Sequence, residues 1–302
     1  MREAWRLLSL TVNDWYEDRA QRMGAAVAYY TIFALTPGLV IAMALTGFLV
    51  GPSAEASIID EFRELIGERG ALALEATMRS ARATSPGTAG LGLALATLIL
   101  GLWGVFGELQ DGLNTIWDVA PRPGRRIREI VLARFWSFVV VVSTGFVLLL
   151  SLVITAWLFA VGTFLSHLLP ASAVALEAIN SVISAVVLTA AFALIFKLLP
   201  DVKVAWRDVW VGAAVTALLF IVGTFLIGLY LGTSAVGSAY GAAGSLVIIV
   251  VWVYYSAQIL LFGAEFTKVW TKRRGATVEV EPTAVPLTAE ARAEQGLGPK
   301  RS

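Results

Sequence analysis

Hydrophobic positions along the chain are gathered into six long apolar stretches, separated by connections that hold most of the charged residues. The stretches cover about residues 25–50, 88–107, 135–165, 176–199, 209–231 and 241–266. A helix needs roughly 20 predominantly apolar residues to cross the hydrocarbon core of a bilayer, and each stretch meets that length. The pattern therefore predicts an all-α fold: a polytopic membrane helix bundle with six transmembrane helices.

Composition supports a membrane protein and separates the end of the chain from the rest. Hydrophobic residues make up 58% and charged residues 15% of the 302 positions, with a mean hydropathy of +0.77. In a soluble domain about 25% of residues are charged. Residues 1–274 are expected to form one six-helix membrane domain. Residues 275–302 are poor in aromatics and rich in Pro, Ala and Glu, which favours a disordered cytoplasmic tail.

Two segments outside the apolar stretches show a helical periodicity of their own. Residues 1–22 contain charges throughout, so a cleaved signal peptide is not expected. Their apolar residues recur three to four positions apart, which predicts an amphipathic helix on the membrane surface; the alternative is a soluble helix packed on the bundle. These apolar residues are Trp5, Leu8, Val12 and Trp15. The first connection, residues 53–84, shows the same pattern and is expected to form further surface helices.

Lys and Arg residues indicate how the spans are oriented. They accumulate before the first stretch, in the second and fourth connections and at the start of the tail, and the third and fifth connections have none. The long first connection breaks this pattern, since it holds four Arg beside six acidic residues. Cytoplasmic loops collect Lys and Arg, so both termini are expected to be cytoplasmic. The net charge of +1, with no separate basic patch, argues against a nucleic-acid partner.

Residues with catalytic or metal-binding chemistry are scarce. The chain has no cysteine, and its single histidine, His167, lies in a short connection where a solvated side chain is expected. A metal site and a Ser-His-Asp triad both lack their parts, and no nucleotide-binding P-loop occurs. We therefore predict no cofactor, no metal and no enzymatic activity.

A run of polar residues ends the second apolar stretch, in WGVFGELQDGLNTIWD (103–118). On a helix of about 100° per residue, five polar side chains share an arc of roughly 120°, and four glycines lie on or beside it. The polar residues are Glu108, Asp111, Asn114, Thr115 and Asp118, and the glycines are Gly101, Gly104, Gly107 and Gly112. Small residues let another helix or a ligand approach, and acids within a membrane normally face a cavity or a partner. Glu108 and Asp111 are expected to face inward, whereas solvation is the preferred interpretation for Asp118.

The first and last spans carry further polar residues. Tyr254, Gln258 and Glu265 share one face of the last span, where Gln258 lies deep enough to need a hydrogen-bonding partner. Glu265 is alternatively a solvated end residue. Tyr29 in the first span either lines a polar site or packs between helices. We hypothesise a substrate path lined by spans 1, 2 and 6, with the candidate residues Glu108, Asp111, Asn114, Gln258, Tyr254, Tyr29 and Glu265.

Four blocks of sequence occur together and in order. They are RMGAAVAYYTIFALTPG, WGVFGELQDGLNTIWDV, FKLLPDVKVAWRDVWVGA and SAYGAAGSLVIIVVWVYYSAQILLFGAEFTK. In this combination, which covers about residues 15 to 270, they resemble the YihY/BrkB family. The resemblance implies a six-span protein of the bacterial cytoplasmic (inner) membrane. It also implies a family of mostly uncharacterised members, with links to virulence or serum resistance, suggested transport roles and an old ribonuclease label.

Three classes of function compete. A transporter or exporter of a lipid-like or small amphiphilic substrate is favoured, because polar and glycine positions converge on three spans. The alternative is a structural protein of the cell envelope without transport. A ribonuclease is not expected, since the acids lie in or beside spans and no basic RNA groove is present. The lipid bilayer is the expected partner, and the sequence leaves substrate, driving force and oligomeric state open.

Overall fold

A computed structural model describes residues 2–49, 88–124, 172–233 and 244–297, together with Leu72, Glu75, Leu132, Phe135 and Val139. Helices dominate these residues, which confirms the all-α fold class. In chain order they are α1 (Arg2–Glu17), α2 (Ala20–Leu49), α3 (Thr88–Ile116), α4 (Ser172–Leu198), α5 (Trp206–Thr233), α6 (Gly244–Arg273) and α7 (Ala289–Glu294). The strands described are β1 (Val119–Pro121), β2 (Val202–Lys203), β3 (Glu279–Val280) and β4 (Ala284–Pro286).

Four of the described helices contain segments that are long and apolar enough to cross a membrane. These are Gly92–Ile116 in α3, Ser181–Leu198 in α4, Trp206–Tyr230 in α5 and Val247–Arg273 in α6. Only 22% to 39% of the most apolar window of each is buried within the protein, so most of its side chains are available to lipid. α2 is a 30-residue apolar helix at the first predicted span. Most of the third predicted span lies outside the described residues, so the count of six spans stays a prediction.

Left-handed backbone conformations follow four of the described helices. Arg19 has a φ of 52°, Asp118 a φ of 57°, Gly275 a φ of 67° and Gly296 a φ of 71°. The amide of Gly275 donates to the carbonyl of Lys272 at 3.0 Å, and the amide of Ala276 donates to the carbonyl of Thr271 at 3.3 Å, as in a Schellman motif. Glycine adopts this conformation freely, whereas a residue with a Cβ pays about 1–2 kcal/mol. At Arg19 and Asp118 the conformation therefore costs free energy that the rest of the fold offsets.

The described fold divides into two compact units. The first comprises Met1–Arg19, Gln110–Leu219 and Leu260–Ser302, and the second comprises Ala20–Leu109 and Phe220–Ile259. The core of the first unit contains large side chains that are almost completely buried. They include Phe196, Leu199, Val202, Val209 and Leu261. The chain positions show that this core is built from the end of α4, the connection to α5, and parts of α5 and α6.

Glycines bring α2 and α3 close together in the second unit. A Cβ added to Gly101 of α3 would lie 2.8 Å from the backbone nitrogen of Ala34 in α2. Gly104 of α3 lies directly against the ring of Tyr30 in α2. The expectation that the small face of the second span meets another helix is therefore confirmed at these two positions.

The segment after α6 is ordered, so the expectation of a disordered tail is wrong for residues 275–297. β3 pairs antiparallel with β2, and β4 pairs antiparallel with β1. Leu287, Arg292 and Leu297 are at most 8% exposed. Strands of two or three residues leave no periodic pattern in a sequence, and only a partner strand completes their hydrogen bonds. Residues 298–302, His167 and nearly all of the first connection lie outside the described residues.

Candidate functional site

The fold divides the polar arc of α3 into a less buried and a buried side. Asp111 is exposed and Glu108 is half-buried, whereas Gln110 and Asn114 are 7% and 1% exposed. The expectation that the two acids face inward is therefore wrong for Asp111. Leu113, in the last two turns of α3, is completely buried. The packed face of the helix is therefore centred beside the polar arc and not on it. Within α3, Asn114 is the member of the arc that is buried.

Asn114 and Asp201 form a buried hydrogen-bonded clamp. The Nδ2 of Asn114 donates to the Oδ2 of Asp201 at 2.9 Å, and the backbone N–H of Asp201 donates to the Oδ1 of Asn114 at 2.8 Å. The Nε2 of Gln110 donates to the other carboxylate oxygen at 3.3 Å. α4 ends at Leu198, shortly before Pro200, because proline cannot continue a helix. Asp201 comes directly after this proline. The clamp therefore ties the end of α3 to the connection between α4 and α5.

Asp18, Asp118, Lys268 and Arg292 form a buried ion cluster in the same unit. Arg292 places its Nη2 2.7 Å from an oxygen of Asp18 and its Nη1 3.1 Å from an oxygen of Asp118. The Nζ of Lys268 lies 3.1 Å from Asp118 and 3.7 Å from Asp18. The side chains of Asp18 and Lys268 are completely buried. Lys272, which is exposed, adds a contact of 3.3 Å to Asp118 at the rim.

Four separate chain segments supply this ion cluster. Asp18 follows α1, Asp118 follows α3, Lys268 belongs to α6 and Arg292 belongs to α7. The left-handed residues also lie here, since Asp118 is one of them and Arg19 directly follows Asp18. Backbone strain of this kind persists where surrounding contacts over-determine it. The ion cluster is therefore the point that holds α1, α3, α6 and the tail together.

The electrostatics of the ion cluster favour a structural over a catalytic role. Its two carboxylates face two buried cations, and complementary charges with good hydrogen bonds offset the cost of removing them from water. The guanidinium of Arg292 bridges Asp18 and Asp118 and so relieves their mutual repulsion. Among the described residues, no group of three or more His, Cys, Asp or Glu side chains is placed to hold a metal ion.

α5 and α6 pack through two matching G-x-x-x-T motifs, GAAVT (212–216) and GAEFT (263–267). Gly212 lies directly against Thr267, and Gly263 lies directly against Thr216. Each threonine hydroxyl donates to the carbonyl of the glycine in its own motif at 2.7 Å. The reciprocal contact makes the two helices antiparallel neighbours with little side chain between them. Glu265, inside the second motif, is 0% exposed, so its interpretation as a solvated end residue is wrong.

The second unit contains a polar group that is buried within a span. Gln258 of α6 packs against Gly24 of α2, and its Nε2 donates to the carbonyl of Ala20 at a long 3.4 Å. Its amide oxygen is buried and has no hydrogen-bond partner among the described residues. Tyr254, one turn earlier, is half-buried, whereas Tyr29 of α2 is 56% exposed.

Comparison with known proteins places these residues in one family. The family model described as virulence factor BrkB matches residues 11–288. The chain belongs to the BrkB family. The matched range includes both the clamp and the G-x-x-x-T motifs. It also includes three members of the ion cluster, and it ends before Arg292.

Relatives of this BrkB-family chain are membrane proteins by name. The UPF0761 membrane protein of Delftia acidovorans is 28% identical over 277 residues, which is 87% of this chain and 62% of the relative. The UPF0761 membrane protein of Pseudomonas aeruginosa strain LESB58 is 26% identical over 273 residues, 85% of this chain and 62% of the relative. The chain therefore spans less than two thirds of the length of these two relatives.

A third relative has a different printed name. The putative ribonuclease-like protein YfkH of Bacillus subtilis is 24% identical over 261 residues, 84% of this chain and 91% of the relative. The names virulence factor BrkB and UPF0761 membrane protein denote no class of enzyme. No solved structure matches the chain. Together, the family match and the apolar helices identify an integral membrane protein.

The seven candidate residues divide between the two units of this BrkB-family chain. Asp111, Asn114 and Glu265 lie in the first unit, and Tyr29, Glu108, Tyr254 and Gln258 lie in the second. Asp18, Asp201 and Arg292 were not among the candidates, because their partners lie 87 to 274 positions away along the chain. The Pro200-Asp201 pair marks the end of a helix in the sequence and could have drawn attention to Asp201. No local pattern marks Arg292. Asp118 is 26% exposed and ion-paired, so its interpretation as a simply solvated residue is wrong.

Proposed function

We propose that the protein transports a lipid-like or small amphiphilic molecule across the bacterial inner membrane, along a path lined by α2, α3 and α6. The observation that carries the proposal is the amide oxygen of Gln258, which is buried in a span without a hydrogen-bond partner among the described residues. A buried polar group left unsatisfied costs about 1–3 kcal/mol. A substrate group that donates a hydrogen bond to this oxygen would recover that free energy.

The packing of the second unit supports the same proposal. α2 contacts α3 through Gly101 and Gly104, and it contacts α6 through Gly24. Glycines let helices approach closely, and the side chains of Tyr30 and Gln258 occupy the space beside Gly104 and Gly24. α2 therefore contacts both of the other helices that would line the path. Tyr29, Glu108 and Tyr254, which lie in the same unit as Gln258, remain the other candidates along the path.

A lipid-translocation assay tests the proposal. The full chain is reconstituted into phosphatidylcholine vesicles that contain a trace of nitrobenzoxadiazole-labelled phospholipid, and external dithionite reports label that reaches the outer leaflet. Gln258→Leu removes the buried amide at similar volume and should slow translocation at least tenfold. Ser256→Ala is the matched control, because among the described residues the Ser256 hydroxyl bonds within its own helix, to the carbonyl of Trp252 at 2.9 Å. Wild-type vesicles that bleach no faster than protein-free vesicles would contradict transport of lipid.

The alternative is a structural envelope protein, and the ion cluster and the paired tail strands favour it. It predicts that a Gln258→Leu variant with normal membrane levels still restores the envelope phenotype of a deletion strain. A transporter predicts loss of that phenotype at normal levels. Immunoblots of membrane fractions beside the complementation assay separate the two functions.

Ribonuclease activity is not proposed. General acid–base catalysis needs acids or bases within reach of the substrate, but the buried Asp18 and the partly exposed Asp118 are ion-paired with Lys268 and Arg292.

Both termini are proposed to be cytoplasmic. Reporter fusions at Arg125 and Ala276 should then report inside, and fusions at Ser53 and Gly232 should report outside.

A further inference from the structure

α1 presents an apolar face that nothing in the described fold covers. Its side chains are Trp5, Leu8, Val12 and Tyr16, which are 73%, 45%, 48% and 72% exposed. At about 100° per residue, the four fall within an arc of roughly 80°. They line an open groove together with Ser9, Asn13 and Trp15. A continuous apolar surface of this kind marks an interaction site rather than scattered surface hydrophobes.

The other side of α1 is fixed to the first unit. Leu7 is 8% exposed and Thr11 is completely buried, and both lie roughly 120° around the helix from the apolar face. Glu3 pairs with Arg273 at 2.7 Å. α1 ends at Glu17, and the next residue, Asp18, belongs to the ion cluster. The apolar face of α1 therefore has a set orientation in the protein.

The composition and position of this face fit a lipid surface. Trp5 and Tyr16, near the two ends of α1, have apolar rings with polar tips, and such residues concentrate at the boundary between headgroups and acyl chains. Only Asp18 and Arg19 separate α1 from α2, whose apolar sequence forms the first predicted span. The end of α1 is consequently next to the point where the first predicted span begins. The exposed Arg6 lies beside the apolar face, as in helices that bind membrane surfaces.

We infer that the apolar face of α1 is a lipid-binding surface, which seats the helix in the boundary between headgroups and acyl chains. The four side chains enter the acyl region and the polar flank with Arg6 faces the headgroups. This surface is separate from the proposed substrate path and does not depend on it. Through Asp18, it also sets the level of the ion cluster relative to the membrane.

Spin labels on single cysteines test the inference directly, because the natural chain contains no cysteine. Val12→Cys and Ser9→Cys place the label on the apolar face, and Arg6→Cys is the control on the polar flank. Each variant of the full chain is labelled and reconstituted into phosphatidylcholine vesicles. Power-saturation electron paramagnetic resonance then measures collisions with oxygen, which concentrates in lipid, and with a nickel chelate, which stays in water.

Labels at Val12 and Ser9 should collide with oxygen severalfold more often than with the nickel chelate, and the label at Arg6 should show the reverse order. Equal access of the nickel chelate to Val12 and Arg6 would mean a water-facing helix and would overturn the inference. Low collision rates with both reagents at Val12, with dipolar broadening between labels, would mean that a second copy of the chain covers the face. That result would also overturn it. Thermal melting curves that match the wild type confirm that the three variants are folded.

Discussion

Replacing Arg292 with methionine tests whether the ion cluster holds the tail on the protein. Methionine keeps much of the length and packing of the side chain and removes the guanidinium. Asp18, which is completely buried, then loses its contact of 2.7 Å, and Asp118 loses a contact of 3.1 Å. Lys268 stays near both carboxylates, but its distance to Asp18 is 3.7 Å.

The expected cost is about 3 kcal/mol for opening the tail. A hydrogen bond between charged groups contributes about 1.5–3 kcal/mol, and the bond to the buried Asp18 belongs near the upper end of that range. The bond to Asp118, which is 26% exposed, adds up to about 1 kcal/mol because solvent screens it. The remaining attraction of Lys268 holds the total near the lower end of the 3–5 kcal/mol typical of breaking a buried ion pair.

Amide hydrogen exchange measured by mass spectrometry reports the free energy of opening for each segment of the chain. A peptide that covers residues 284–297 reports the opening of β4 and α7, including the amide of Leu287, which donates to the carbonyl of Asp118 at 2.8 Å. A loss of about 3 kcal/mol accelerates exchange roughly a hundredfold, since 1.4 kcal/mol is a factor of ten. Arg292→Lys should give an intermediate rate, because an ammonium cannot bridge both carboxylates with the same fork.

Lys203→Met is the matched control for this prediction. It removes the exposed ion pair between Lys203 and Glu279, in which the side chains are 51% and 71% exposed at a distance of 3.1 Å. This pair also joins the tail to the rest of the first unit, but exposed pairs contribute about 0–1 kcal/mol. Exchange should therefore accelerate less than about fivefold. If Arg292→Met and Lys203→Met accelerate exchange equally, burial of the cluster does not stabilise the tail and the reasoning fails.

The remaining predictions concern packing, the clamp and pH. Gly212→Ala should lower thermal stability in detergent by about 1–3 kcal/mol through overpacking, whereas Gly228→Ala, where a Cβ meets nothing within 4 Å, should not. Asn114→Ala and Asp201→Ala should each cost about 1–3 kcal/mol, and their double variant should cost clearly less than the sum; additive costs would contradict the clamp. Hydrogen bonds from its own backbone N–H and from Thr288 lower the pKa of Glu290 from its ordinary 4.5. Since the fold favours the ionised form, Glu290 stabilises α7 above pH 4.5, and this stabilisation is lost as the pH falls below it. Hydrogen exchange of α7 should show this pH dependence in the wild type and not in Glu290→Gln.

Much of the membrane architecture follows from the sequence alone. The apolar lengths of α3, α5 and α6 predict spanning helices because the hydrocarbon core demands about 20 consecutive apolar residues, and that is a local property. The close approach at Gly101 and Gly104 also has a local cause. A glycine side chain is a single hydrogen, so it leaves room for a neighbouring helix. The family also follows from the sequence, as the match over residues 11–288 confirms.

Tertiary structure alone decided which polar residues are buried and what they contact. A helix wheel gives the arc shared by Glu108, Asp111 and Asn114, but the neighbours of α3 determine which edge of that arc turns inward. Arg292 belongs to a segment whose composition suggests disorder, and it becomes buried only because Asp18, 274 positions earlier, is brought beside it. Charge pairing depends on distances across the fold, which no local pattern encodes. The four described apolar helices could therefore be predicted from the sequence, whereas the ion cluster could not.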